Sequence, residues 1–348
     1  MKIGIIQFST ASAPRLLNRF LEIMRINGIE SEYLSPSDPG FWQKVAVCDY
    51  ILALQGQYRS QLELARAIMP VIEREMGKKC FPNETTAWHY DDKIRQYYLL
   101  SPKGFCFIPC HIFFGRDSAL AFAETASYPL VFKLRGGAGS SNVRLVRTKK
   151  EAGDYIRLMF GKGVNASTLS FGLLSDLQSM GFAKLMRQYR DRLYLYLKHG
   201  YFKTEFWGIE KDYVLFQDFY PGNSFDTRIT IIGNRAFGFR RFNRPKDFRA
   251  SGSGLIDWDE SQIDLRCVEE AFKVSGHFGF QSMAYDFIYD PDGKPAICEI
   301  SYTFQDEAVH KCKGYWDRNM VWHEGHQWPQ YCMLQDLLGE PGLRSIPE

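Results

Sequence analysis

The residues most suited to chemistry lie in the stretch Met283 to Ser301, where Asp286 and Glu299 flank the turn-forming run Asp290-Pro-Asp-Gly. Pro, Gly and Asp favour a turn, and the apolar runs on either side read as the two strands of a hairpin. With the turn centred between Asp292 and Gly293, Tyr289 faces Ala296 and Asp286 faces Glu299. The two-residue period of a strand then puts Ala284, Asp286, Ile288, Ile297, Glu299 and Ser301 on one face. Carboxylates directly opposite each other on a mostly apolar face repel. A divalent cation with oxygen ligands offsets that repulsion, and Mg²⁺ favours a site of one or two carboxylates completed by phosphate oxygens. The hairpin alone leaves a second reading open, in which both acids point to solvent.

A second feature is Tyr128 to Val146, which reads as strand, loop and strand. Val131 and Lys133 share one face of the first strand, and Leu130, Phe132 and Leu134 the other. The loop Gly136-Gly137-Ala-Gly139-Ser140-Ser141 is small and conformationally permissive, so consecutive N–H groups can close around phosphate oxygens. No helix follows it, which excludes a Walker A motif and a dinucleotide fingerprint. A glycine-rich hairpin with no ligand remains the plain alternative.

The elements that must position these groups follow from periodicity. Residues 1–82 alternate as Lys2–Phe8 strand, Pro14–Ile26 helix, Glu30–Leu34 strand, Tyr50–Leu54 strand and Gln61–Met76 helix, a small open α/β sheet. Residues 83–160 begin with a helix over Trp88–Leu100 and end with one over Lys149–Phe160, with strands and turns between. Residues 161–210 form a basic insertion with a helix over Leu173–Leu197. Residues 211–348 hold strands at 213–219, 225–232 and 235–242, a helix at 261–278, the hairpin and a tail rich in Trp and His. A length of 348 residues asks for more than one core.

Composition narrows the function. The net charge of +3 is too small for a dedicated nucleic-acid binder. No apolar stretch reaches the roughly 20 residues of a membrane span. The N-terminal apolar run is too short for a signal peptide. The eight cysteines lack zinc-finger spacing and sit largely in apolar runs, as expected in a reducing compartment. These features describe a cytoplasmic protein.

Six blocks in order resemble the ATP-grasp superfamily, nearest the branch of the ribosomal-protein glutamate ligase and the glutathione synthetases. They are Asn83, Asp92-Lys93, Leu100, Gly104 and Pro109; Pro129 to Val143; Val214 to Tyr220; Asp226-Thr-Arg228; Arg240-Arg241 with Asp247-Phe-Arg249; and the Asp286/Glu299 hairpin. The resemblance implies an N-terminal Rossmann-like domain followed by two α+β lobes that clasp ATP. Lys93 and Lys133 would neutralise its phosphates, with Gly136, Gly137, Gly139, Ser140 and Ser141 closing over them. Gln217, Asp218 and Phe219 would bind adenine, and Asp226 the ribose or nearby polar groups. Arg228 and Arg241 would stabilise the transferred phosphoryl group, and Arg249 would hold the acceptor or carboxylate. Asp286, Glu299 and Ser301 would bind Mg²⁺.

The implied reaction joins a carboxylate to an amine through an acyl phosphate. The substrates would be small molecules, peptides or glycan acids, and a homodimer is admissible. The chain departs from the family at Glu299-Ile-Ser301, where the family has Glu-x-Asn, and at Tyr302-Thr-Phe-Gln, where Asn-x-Ser-Pro-Gly is usual. The alternative that this loss motivates is an ATP-binding regulatory protein with impaired catalysis. His310, Cys312, His323, His326 and Cys332 read as ordinary tail residues. Trp316, Trp322 and Trp328 read as either a sugar platform or a clasp for the tail.

Overall fold

The computed structural model describes residues 1–8, 15–137, 142–165, 190, 208–245 and 247–346. In chain order the elements are β1 (Lys2–Ile6), α1 (Arg15–Ile26), β2 (Glu30–Leu34), α2 (Phe41–Ala46), β3 (Tyr50–Leu52), α3 (Arg59–Pro70), β4 (Lys79–Phe81), α4 (Glu84–Ala87) and α5 (Lys93–Leu100). They continue with β5 (Cys110–Phe113), α6 (Arg116–Thr125), β6 (Leu130–Lys133), β7 (Val143–Val146), α7 (Lys149–Met159), β8 (Val164–Asn165), β9 (Ile209–Glu210) and β10 (Val214–Asp218). The last part holds β11 (Phe225–Ile232), β12 (Arg235–Phe242), β13 (Ile256–Asp257), α8 (Leu265–Phe278), β14 (Ser282–Tyr289), β15 (Pro295–Ser301), α9 (Asp306–His310), β16 (Gly314–Trp316), β17 (Trp322–Glu324) and α10 (Pro329–Leu338).

The chain divides into two compact units, Met1–Tyr90 with Tyr98–Phe107 and Tyr220–Glu348, and Asp91–Tyr97 with Ile108–Phe219. The first holds a parallel sheet in the order β2-β1-β3-β4 and a larger sheet in the order β15-β14-β11-β12-β16-β17, with β13 on β12. One face of the larger sheet is sealed by α8. Cys267, Val268, Ala271, Phe272 and Val274 of that helix pack on Tyr285, Phe287, Ile297 and Ile300. The helix is bounded by Asp264, whose carboxylate accepts from the Arg266 N–H at 3.0 Å, and by Gly279 at φ +69°. The second unit holds the antiparallel sheet β5-β10-β6-β7, covered by α6 and α7, and the small β8-β9 pair.

Three sequence expectations change. The helix expected over Trp88–Leu100 begins only at Lys93, because Asp91 takes a left-handed φ of 51° and Asp92 caps the helix through the Arg95 N–H at 3.1 Å. The run between residues 101 and 147 contains a ten-residue helix, α6, whose buried side is carried by Ala119 and Ala123. Such small residues give a weak periodic signal. The single long helix over Gln61–Met76 is α3 followed by a π turn at Val71–Glu75. The helix expected over Leu173–Leu197 lies outside the described residues apart from Arg190.

The hairpin register also differs at its tip. The Asp290–Lys294 pair closes a three-residue loop with Gly293 at φ +72°, so Tyr289 faces Pro295 and Ile288 faces Ala296. Asp290 Oδ1 accepts from the Asp292 and Lys294 N–H groups at 2.9 and 2.8 Å and holds this turn. A bulge at Cys298 then restores the expected pairing of Asp286 with Glu299. Its consequence is that Ile297 lies opposite Phe287 and joins the core, not the carboxylate face.

In the π turn, Glu73 accepts the Glu84 N–H at 2.7 Å. Burial, resisted by that bond and reinforced by the Glu84 charge, pushes its carboxyl up to about 7. A folded value above the unfolded one favours the protonated form of the fold. That contribution is complete below about pH 4.5 and is lost as the pH rises to about 7. Denaturant midpoints should show wild type losing stability across this window and Glu73→Gln losing much less, with the variant ahead by about 1–2 kcal/mol at pH 8.

Candidate functional site

In the second unit, the ladder pairs Lys133 with Leu215 and Val131 with Gln217. Alternation therefore sets Lys133, Val131, Leu215 and Gln217 on one face and Phe132, Phe216 and Asp218 on the other. Lys133 is 5% exposed at the mouth of the glycine loop, where β6 and β7 diverge. Lys93, 7% exposed at the start of α5, donates from Nζ to the Gly137 carbonyl at 3.1 Å. Two buried ammonium groups thus mark the start of this loop.

The loop's first residues are held from both sides. The Gly137 N–H donates to Asp91 Oδ1 at 2.8 Å, and Asn142 Nδ2 donates to the Gly136 carbonyl at 3.1 Å. Gly137 has φ +110°, and a Cβ there would lie 2.2 Å from the Asn142 amide, so only glycine fits. Asp91 and Asn142 were missed in the sequence. Their position bracketing Asp92-Lys93 and the end of the loop is the available signal. Gly139, Ser140 and Ser141 lie outside the described residues.

Gln217 and Asp218 separate by face. Gln217 is buried and donates from Nε2 to the Cys110 sulfur at 3.4 Å. The Asp218 carboxylate pairs with His111 Nε2 at 2.9 Å, and the His111 ring stacks on Phe122 of α6. Phe219 ends this unit.

In the first unit, β11 carries Asp226 opposite Arg241 of β12 and Arg228 opposite Asp286 of β14. Cross-strand neighbours on one face meet, and four charges form a continuous network. Arg241 donates from Nε and Nη2 to the two Asp226 oxygens at 2.7 and 2.6 Å. Arg228 donates from Nε and Nη2 to Asp286 Oδ1 and Oδ2 at 2.6 and 2.8 Å. Arg241 Nη2 also reaches Asp286 Oδ2 at 2.7 Å and links the two pairs. Asp226, Arg241 and Asp286 are each at most 8% exposed.

The electrostatics of the two acids diverge. Burial pushes the Asp286 carboxyl up, but Arg228 and Arg241 outweigh it and hold the group far below the usual range. Burial also pushes Asp226 up, Arg241 draws it down, and the nearby Asp286 charge adds to the rise, so its value is raised. Arg241 is held firmly protonated: burial disfavours its charge, and the charges of Asp286 and Asp226 more than compensate.

Glu299 faces Asp286 across the β14–β15 ladder. The Ser301 hydroxyl is engaged locally, donating to the Thr303 carbonyl at 2.8 Å. Arg249 forms a bidentate pair with Asp247, at 2.9 and 2.6 Å. The oxygen-only pair Asp286 and Glu299 suits Mg²⁺, and the Arg228 guanidinium already places a cation against Asp286, so the donor set fits that metal. Among the described residues no group of three or more His, Cys, Asp or Glu side chains is placed to hold a metal. The tail residues are accounted for otherwise. Cys312 and Cys332 are core residues, and His323 pairs with Asp317 at 3.1 Å. Trp328 packs against the Arg19 guanidinium at 3.9 Å and stacks on the His310 ring at 3.7 Å, a clasp of the tail onto α1. No helix among the described residues is long and apolar enough to cross a membrane.

Removing one member of a buried charged network strands the others. Arg241→Met should destabilise the protein by about 3–5 kcal/mol in chemical denaturation. The loss should be largest above neutral pH, because Asp226, deprived of its partner, then has to carry an uncompensated charge. The double variant Asp226→Asn/Arg241→Met should recover a large part of it.

No family model matches the chain, and no curated protein sequence matches it either. Solved structures do. A RimK domain ATP-grasp protein from Sphaerobacter thermophilus aligns with a TM-score of 0.53 at 13% identity, over 97% of this chain and 99% of its own. A macrocyclase bound with its precursor peptide, from Microcystis aeruginosa, aligns at 0.57 and 13%, over 98% and 100%. A biotin carboxylase–ATP complex from Campylobacter jejuni aligns at 0.56 and 12%, over 100% and 72%. At these identities the likeness concerns the path of the chain, and it extends over nearly all of it: the chain has the ATP-grasp fold.

Proposed function

We propose that the chain is an ATP- and Mg²⁺-dependent ligase that joins a carboxylate to an amine through an acyl phosphate, releasing ADP and phosphate. The observation that carries this reading is the convergence of two buried lysines, Lys133 and Lys93, on the start of the glycine loop. Compact ammonium charges in that setting suit phosphate oxygens. The ATP named with the Campylobacter biotin carboxylase supports the nucleotide.

The roles assigned to this chain's residues follow. Lys93, Lys133 and the loop at 136–141 hold the β- and γ-phosphates. Backbone groups of Gln217, Asp218 and Phe219 take the base. Asp226 holds Arg241 through two hydrogen bonds, and Arg241 and Arg228 carry the positive charge that meets the transferred phosphoryl group. Arg249, oriented by Asp247, takes a substrate carboxylate. Asp286 and Glu299 hold Mg²⁺, which when bound neutralises charge on the phosphates. The precursor peptide of the Microcystis macrocyclase supports a peptide among the substrates; a glycan acid remains the other class. The Ser301 hydroxyl, bonded to Thr303, favours the second reading, an ATP-binding protein with weakened catalysis.

Calorimetry with a non-hydrolysable ATP analogue should show Lys133→Ala binding about tenfold or more weakly, the loss of one charge-assisted contact. A screen over carboxylate and amine pairs, followed by mass spectrometry, should yield ADP with an amide product. AMP and pyrophosphate would overturn the acyl-phosphate route. Nucleotide binding with no product from any pair would favour the regulatory reading.

A further inference from the structure

The charge network at Asp286 is asymmetric, and the asymmetry bears on how a cation enters. A carboxylate oxygen has two lone pairs. Asp286 Oδ2 already accepts from Arg228 and Arg241, whereas Oδ1 accepts only from Arg228. The two arginines and two aspartates cancel, and Glu299 opposite Asp286 brings one more negative charge, so a divalent cation held by both acids leaves a surplus of one positive charge. One guanidinium has to withdraw. Arg241 is anchored by its bidentate bonds to Asp226 and cannot leave without stranding that buried acid. Arg228 has no second anchor: among the described residues its guanidinium bonds Asp286 alone. Glu299, opposite Asp286 in the ladder, supplies a second oxygen donor for an incoming cation.

We propose that Arg228 is a displaceable counter-cation of Asp286: a divalent cation takes its place on the carboxylate and releases the guanidinium, which then binds an anion. This rests on the metal assignment made for the ligase. It adds that cation and anion binding are coupled through one side chain. The coupling is reciprocal, so a carboxylate or phosphate captured by Arg228 tightens the cation by the same factor. Asp226 serves as a positioning residue that keeps Arg241 in place during the exchange.

The test uses Mn²⁺ and the full-length chain without nucleotide, read by calorimetry and by the electron paramagnetic resonance of free Mn²⁺. Arg228→Met should bind Mn²⁺ at least tenfold more tightly than wild type, Arg228→Lys should fall between, and Asp286→Asn should lose the site. A folded Arg228→Met variant with unchanged or weaker Mn²⁺ binding overturns the exchange. A second measurement needs no variant. Saturating Mn²⁺ should raise the rate at which phenylglyoxal modifies Arg228 of the wild type, followed by peptide mass spectrometry, and an unchanged rate overturns the proposal. The two failures separate cleanly. Mn²⁺ binding that persists in Asp286→Asn refutes the metal assignment itself, whereas binding that needs Asp286 but ignores Arg228 refutes only the exchange.

Discussion

The buried pairing of Asp226 and Asp286 with Arg241 and Arg228 is the constraint on which the larger sheet depends. Two ionised carboxylates cannot share a dry sheet face unless positive charge stands between them. Arg241 does this by bonding both acids. The arrangement follows from the ladder: β11 lies between β12 and β14, and its residues 226 and 228 are two apart, on one face. The same strand therefore meets a basic partner on one side and an acidic one on the other. Further along the strand, the odd-numbered residues Ile229 and Ile231 face the opposite side and fill the core beneath α8. One alternating strand thus anchors the charge network on one face of the sheet and the hydrophobic layer on the other.

The antiparallel sheet of the second unit applies the same alternation to a different end. Lys133 and Gln217 share a face, and the Phe132 and Phe216 rings turn the other way into the core beneath α6 and α7. Asp218, one residue past Gln217, falls on the helix side and pairs with His111. Gly137, Asp91 and Asn142 then fix where the glycine loop begins through backbone and amide hydrogen bonds. Both lysines are buried, and Lys93 bonds the loop at Gly137, from which small residues continue in the sequence.

Much of this was legible in the sequence. Strands Phe225–Ile232 and Arg235–Phe242 match their expected limits, because apolar residues recur along them at every second position and turn residues bound them; Glu30–Leu34 matches too, although only Tyr33 and Leu34 in it are apolar. The face-to-face placement of Asp286 and Glu299 was also readable. It survived an error at the hairpin tip only because the Cys298 bulge compensates for the three-residue loop. A bulge is selected by packing on both faces of a sheet, which a linear pattern does not carry. The α6 helix was hidden because alanines, not large apolar residues, mark its buried side.

The sequence by itself determined the order of the blocks, the period of each strand, the turn at Asp290–Gly293 and the placement of Lys133 just before a glycine loop, since these depend on residues close along the chain; Lys93 reaches the same loop only through the fold. Only the tertiary structure decided which charges meet. Asp226 and Arg241 are 15 residues apart and Arg228 and Asp286 are 58 apart. A guanidinium and a carboxylate bond each other only when their atoms come within about 3 Å, and spatial neighbours across a sheet are set by register and strand order.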